Sequence, residues 1–201
     1  KNADKEITDK SLILKAKRQK ISLYQGEFMS KRSNKSGAQK LAERKIELRN
    51  QLWGEEINNK KLWNRNSHDG YTTLPRTLPY IGRIMDREAG KGTPVSGTYL
   101  ALWCNVFDDS FLEIKDQKRY AFESGFSGER AVTTWAGRMR KLEEMGFIES
   151  RHGTEGDLHY ILLMNPLEVC KTICKEKNND ELYNALLARM NAVGAKFDES
   201  E

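Results

Sequence analysis

The residues best suited to chemistry by type are few. His152, Asp157 and His159 fall in one short stretch. Two imidazoles and a carboxylate suit a metal ion if the chain brings them together. The alternative, preferred here, is exposed polar groups at a hairpin tip. Cys170 and Cys174 are one helical turn apart and read as half a metal site or as buried hydrophobe-like thiols; the second reading is favoured. His68 and Asp69 sit in a loop, and Glu143 and Glu144 read as solvent-facing. Ser124 and Ser127 have no base at a recognisable spacing. The expectation is no enzyme, no cofactor and no metal site.

A second set of residues has a better-defined placement. From Ser127 to Met145, Val132, Trp135, Met139 and Leu142 recur at three- or four-residue steps, with Ala136 and Met145 beside them. They share one helical face. The opposite face carries Arg130, Thr133, Thr134, Gly137, Arg138 and Lys141. Arginine can donate bidentately to guanine, and threonine can meet phosphate or a thymine methyl. Ser127 is the expected N-cap, and Gly146 the stop. Before it, a short helix ends at Gly125. After it, Phe147 and Ile148 begin one strand and Leu158–Met164 form another. Residues 152–157, with two glycines, read as a turn between them, and Arg151 and His152 are further candidates for a minor-groove or phosphate contact. Glu155 and Asp157 on that hairpin would oppose such a contact.

Short helix, turn, longer helix and hairpin resemble a winged helix-turn-helix. The resemblance rests on Ala121, on Gly125 and Phe126 at the turn, and on RKLEEMGFIESRHG passing from helix into wing. The residue six after the turn glycine, apolar in the family, is Ala131, with bulkier Val132 next; a turn one residue longer is expected. A strand with Leu74, Pro75 and Arg76, a helix, then TYLALW and the rest, is similar in order to the N-terminal domains of plasmid and phage replication initiators. The resemblance implies DNA binding in replication or transcription control on a mobile element. The contact residues it suggests are Ser127, Arg130, Thr133, Thr134, Arg138, Lys141 and Arg151.

The elements around this unit set the remaining expectations. Thr98–Phe107 is its first helix, Phe111–Ile114 a short strand, and Leu78–Glu88 a preceding helix facing inward through Leu78, Ile81, Ile84 and Met85. GKGTPVSG at 90–97 lacks P-loop spacing. Residues 38–52 form a helix with a narrow stripe, Leu41, Leu48 and Leu52, that needs a partner surface. Residues 53–66 read as an irregular connector or as a short helix that tucks Trp53 and Trp63 against the main domain. The fold class is α+β, mostly helical. It divides into a basic helical arm and connector (1–65), a winged-helix domain (66–165) and C-terminal helices (166–201).

Charge is uneven. Residues 1–65 hold 17 Lys/Arg and 8 Asp/Glu, a net of +9, whereas the whole chain of 201 residues carries +5. The arm therefore suits an acidic partner, either by holding phosphates or as a solvated tail. Three cysteines do not make a disulfide framework, and no apolar run spans a membrane. No signal-like segment is seen in this chain, which does not begin with Met. The expected location is cytoplasmic. The partner is double-stranded DNA; the alternative is a protein-interaction module in a larger assembly. The stripe Leu182, Leu186, Met190 and Val193 is expected to pack on a second copy, making a homodimer, or on the N-terminal helix. A protein partner through the arm or the C-terminal helix is the other expectation.

Overall fold

The computed structural model describes residues 36–175 and 180–198. The chain divides into two compact units, Lys1–Asp69 and Gly70–Glu201.

In the first unit, α1 spans Gly37–Trp53 and opens with a capping box: Ser36 Oγ accepts from Gln39 N, and Gln39 Oε1 accepts from Ser36 N at 2.9 Å. These bonds satisfy two helix-end donors reciprocally. A 3-10 turn, Gly54–Asn59, follows. The stripe expected to find cover remains bare: Leu41 is 55%, Leu48 53% and Leu52 66% exposed. Trp53 and Trp63 are likewise exposed, although Trp63 stacks on His68.

The second unit is α+β and mostly helical. Helix α2 spans Leu78–Ala89, α3 Ser96–Asn105, α4 Gln117–Glu123, α5 Ala131–Glu144, α6 Pro166–Cys174 and α7 Glu181–Val193. Strand β1 covers Phe111–Glu113, β2 Ile148–Gly153 and β3 Gly156–Leu163, forming an antiparallel sheet in the order β1-β3-β2. Leu112 pairs with Ile161, and Ser150 with Ile161 on the other side. Strand alternation sends Leu112, Ile161 and Leu163 inward; all three are buried.

Helix α2 is the hub. Ile81, Ile84 and Met85 are fully buried, and α2 packs against α3, α5, α6 and α7. Its Asp86 accepts from Val95 N, Ser96 N and Ser96 Oγ at 2.6–2.8 Å, so a side chain from α2 satisfies the first donors of α3. The C-terminal helices belong to the same unit, and this corrects the expectation for α7. Leu186 and Met190 are buried by contacts to α2 and α6, so the stripe is already covered without a second copy. Asp180 fixes that docking. It accepts from Leu182 N and Tyr183 N as the N-cap of α7 and grips Arg87 of α2 through two 2.6 Å bonds.

Candidate functional site

The candidate face is built by two helix endings of one design. At the end of α4, Gly125 (φ 88°) donates to Phe122 O and Phe126 donates to Ala121 O, both at 2.9 Å. At the end of α5, Gly146 (φ 80°) donates to Glu143 O and Phe147 to Leu142 O, again at 2.9 Å. This pair of bonds closes the last carbonyls of a helix and needs a left-handed residue, which glycine supplies without a Cβ clash. The apolar residue after each glycine then turns back onto the helix. Phe147 is fully buried and Phe126 packs against the core.

Between α4 and α5 lie residues 124–130. That connection exceeds both the about 3–4 residues usual for a helix-turn-helix and the single extra residue expected from Ala131. The expected N-cap at Ser127 is also corrected. Gly128, at φ 84°, turns the chain off a helical path, so α5 begins at Ala131. Arg130 occupies the cap position and makes no side-chain capping bond. Ser127, Gly128, Glu129 and Arg130 are all exposed.

Helix α5 is held by Trp135, Met139 and Leu142, each fully buried. Glu143, expected in solvent, accepts from Ser150 N at 2.8 Å and Ser150 Oγ at 2.6 Å, which pins strand β2 to α5. The remaining face presents Thr133, Gly137, Arg140 and Glu144 to solvent, with Arg130 at its N-terminal end. Helical spacing aligns these residues. The guanidinium groups of Arg130 and Arg140 have no ion-pair or hydrogen-bond partner among the described residues. Arg140 was passed over in the sequence, although its spacing from Thr133 and Gly137 marks it.

The other predicted contacts are placed differently. Thr134 is half-buried on one flank. Lys141 pairs with Glu144 at 2.9 Å. Arg138 folds back: its Nη2 donates to Gly92 O at 3.1 Å, and its guanidinium lies 5.9 Å from the Phe126 ring centre. It ties the 90–95 loop to α5. Arg151, exposed on β2, pairs with Glu149 beside it.

The histidines and cysteines are not gathered into one site. His152 Nδ1 lies 2.9 Å from Asp157 Oδ1, both exposed. His159, expected at an exposed tip, is buried at 2%. It stacks on Tyr160 with ring centres 4.1 Å apart, and its Nε2 is 3.5 Å from Glu113 Oε1. The cause is Gly153. A Cβ there would stand 2.0 Å from His159 Nδ1, so only glycine lets the hairpin close over the ring. Gln117 Nε2 donates to Glu155 O at 2.8 Å, which ties the hairpin tip to the start of α4.

Burial pushes the Cys170 thiol up to about 12 and raises that of Cys174; thiolate ligands are disfavoured there. Among the described residues, no group of three or more His, Cys, Asp or Glu is placed to hold a metal ion. None of the described helices is long and apolar enough to cross a membrane. No protein-family model, curated protein or solved structure matches this chain.

Proposed function

We propose that the second unit is a winged helix-turn-helix that binds double-stranded DNA, with α5 as the helix entering the major groove. The observation that carries this reading is the open row on α5. Arg130, Thr133, Gly137 and Arg140 line the side of α5 away from its buried row. Neither arginine side chain has an ion-pair partner among the described residues, and Glu144 at the end of the row is paired with Lys141. The succession α3, β1, α4, α5, β2, β3 and the sheet order β1-β3-β2 support it. Arg130 stands at the N-terminal end, where such helices meet base edges, so it takes the guanine-reading role. Arg140 takes a phosphate. Gly137 keeps the middle of the helix flat against the groove.

Arg138, Lys141 and Arg151 have smaller roles in this reading, because each already has a partner within the chain. Glu155 and Asp157 keep the hairpin tip from close contact with phosphates. The basic arm adds affinity without base choice, through its 17 Lys/Arg against 8 Asp/Glu. The setting is control of replication or transcription, on a mobile element, in the cytoplasm.

The test compares Arg130→Ala and Arg140→Ala on a selected duplex and on a scrambled one. Arg130→Ala costs about 1–3 kcal/mol on the selected site and much less on scrambled DNA. Arg140→Ala weakens both alike. If neither variant changes either affinity, α5 is not the reading helix.

The protein-interaction alternative has its own observation. The outer face of the sheet exposes Phe111 (42%) directly opposite Leu162 (44%), and Phe107 nearby in sequence is 84% exposed. A partner seated there would be lost in Phe111→Ser, a variant that leaves α5 untouched.

A further inference from the structure

A groove of about 620 Å³ lies where α2, α3 and α7 meet the segment before α2. Roughly 300–1,000 Å³ is the usual span for small-molecule sites. Leu74, Leu78, Met85, Tyr99 and Leu100 give it an apolar lining. Gly82 lets α2 and α3 come together beside it, since a Cβ there would lie 3.2 Å from Ser96 Cβ.

Three arginines line the same groove: Arg76, Arg83 and Arg189. Arg189 Nε donates to Arg76 O at 3.2 Å, which fixes one edge. The guanidinium groups of Arg76 and Arg83 have no ion-pair or hydrogen-bond partner among the described residues. One acid lines the groove, Asp86, and both its oxygens are taken by the start of α3. These donors are neutral, so Asp86 keeps its negative charge, and the three arginines outnumber it in the lining. An apolar lining beside guanidinium groups in excess over the one acid matches a ligand with an apolar body and one anionic head.

We propose that this groove is a binding site for a small amphipathic anion, an aryl or acyl body bearing a single carboxylate, sulfonate or phosphate. The body lies against Leu78, Met85 and Leu100, and the head meets Arg76 and Arg83. This site is separate from the open row of α5 and stands whether or not α5 reads DNA.

The experiment uses the full chain and two fluorescent probes of nearly one shape. 8-Anilino-1-naphthalenesulfonate carries the anionic head; N-phenyl-1-naphthylamine lacks it. The expected result is one sulfonate probe per chain, bound at least about tenfold more tightly than the neutral probe, as one charge-assisted contact warrants. The double variant Arg76→Gln/Arg83→Gln should lose that preference and keep the neutral probe's affinity. Leu100→Asp, at a surface-exposed position, should abolish binding of both, with an unchanged circular dichroism spectrum. Phe111→Ser should change neither. Equal binding of the two probes, or sulfonate binding indifferent to the arginine variants, overturns the proposal. So does displacement of the probe by scrambled duplex DNA together with an equal loss of DNA affinity in the double variant, which would assign the arginines to the phosphate backbone.

Discussion

Asp180→Ala should be among the most damaging single changes in the second unit. The carboxylate joins two tasks: it caps α7 through Leu182 N and Tyr183 N and holds Arg87 of α2 bidentately. Its side chain is 3% exposed and that of Arg87 33%. Losing the cap costs about 1 kcal/mol. Removing one partner of a buried pair costs about 3–5 kcal/mol, but a guanidinium one-third in water keeps part of its hydration. Arg87 also retains Glu88 at 2.7 Å. The pair therefore contributes about 2 kcal/mol and the whole substitution about 3 kcal/mol. Urea unfolding followed by Trp fluorescence measures it, because Trp135 is fully buried in this unit.

The pH dependence has a definite sign. The Arg87 guanidinium holds the Asp180 carboxyl well below the usual carboxylate range, despite the opposing effect of burial. A group whose folded value is depressed stabilises the fold above its unfolded value, about 3.9, and loses that contribution as pH falls toward the folded value. Wild type should therefore lose stability below about pH 4 more steeply than Asp180→Asn. A loss under about 0.5 kcal/mol in Asp180→Ala, the range of ordinary surface changes, would refute this account of how α7 is docked.

Three further outcomes are expected. Gly153→Ala should destabilise by about 1–3 kcal/mol, as overpacking does, because the His159 ring that its Cβ would meet is buried and stacked; urea unfolding measures it, and wild-type stability would mean that the hairpin yields. Cys104 should react with a thiol reagent in the native chain while Cys170 and Cys174 react only on unfolding, as a count of released chromophore against denaturant would show. Removal of residues 1–35, which hold ten of the chain's 34 Lys/Arg, should flatten the dependence of log affinity for duplex DNA on log salt, whose slope is about −0.9 per phosphate neutralised; an unchanged slope would make that segment only a tail.

The sequence revealed periodic features better than it revealed what covers them. The row Trp135, Met139 and Leu142 and the inward face of α2 follow from spacing alone, and both are buried. The stripe of α7 was equally visible, yet its partner was assigned to a second copy or to the N-terminal helix. Periodicity marks an apolar face without naming the surface that meets it. Arg138 shows the same limit for a polar face. Its position on the wheel is correct, but nothing local in the chain shows that the 90–95 loop supplies Gly92 O. Ser127 had the chemistry of a cap. The backbone turn at Gly128 moved the helix start, and a glycine in sequence does not disclose its φ. His159 became buried through the missing Cβ of Gly153, six residues away in the chain and adjacent in space. Within the open row, Arg130 and Thr133 were read correctly as exposed, and Arg140 was overlooked although the same spacing contained it.

The most direct measurement for α5 is fluorescence anisotropy of a labelled duplex, selected from a random pool by the full chain, titrated with wild type and Arg130→Ala at one fixed salt concentration. The expected result is a selected-site affinity reduced by about 1–3 kcal/mol with affinity for scrambled DNA nearly unchanged. Equal affinity of both proteins for both duplexes, or no binding by wild type at low salt, would contradict the assignment of α5 as the DNA-reading helix.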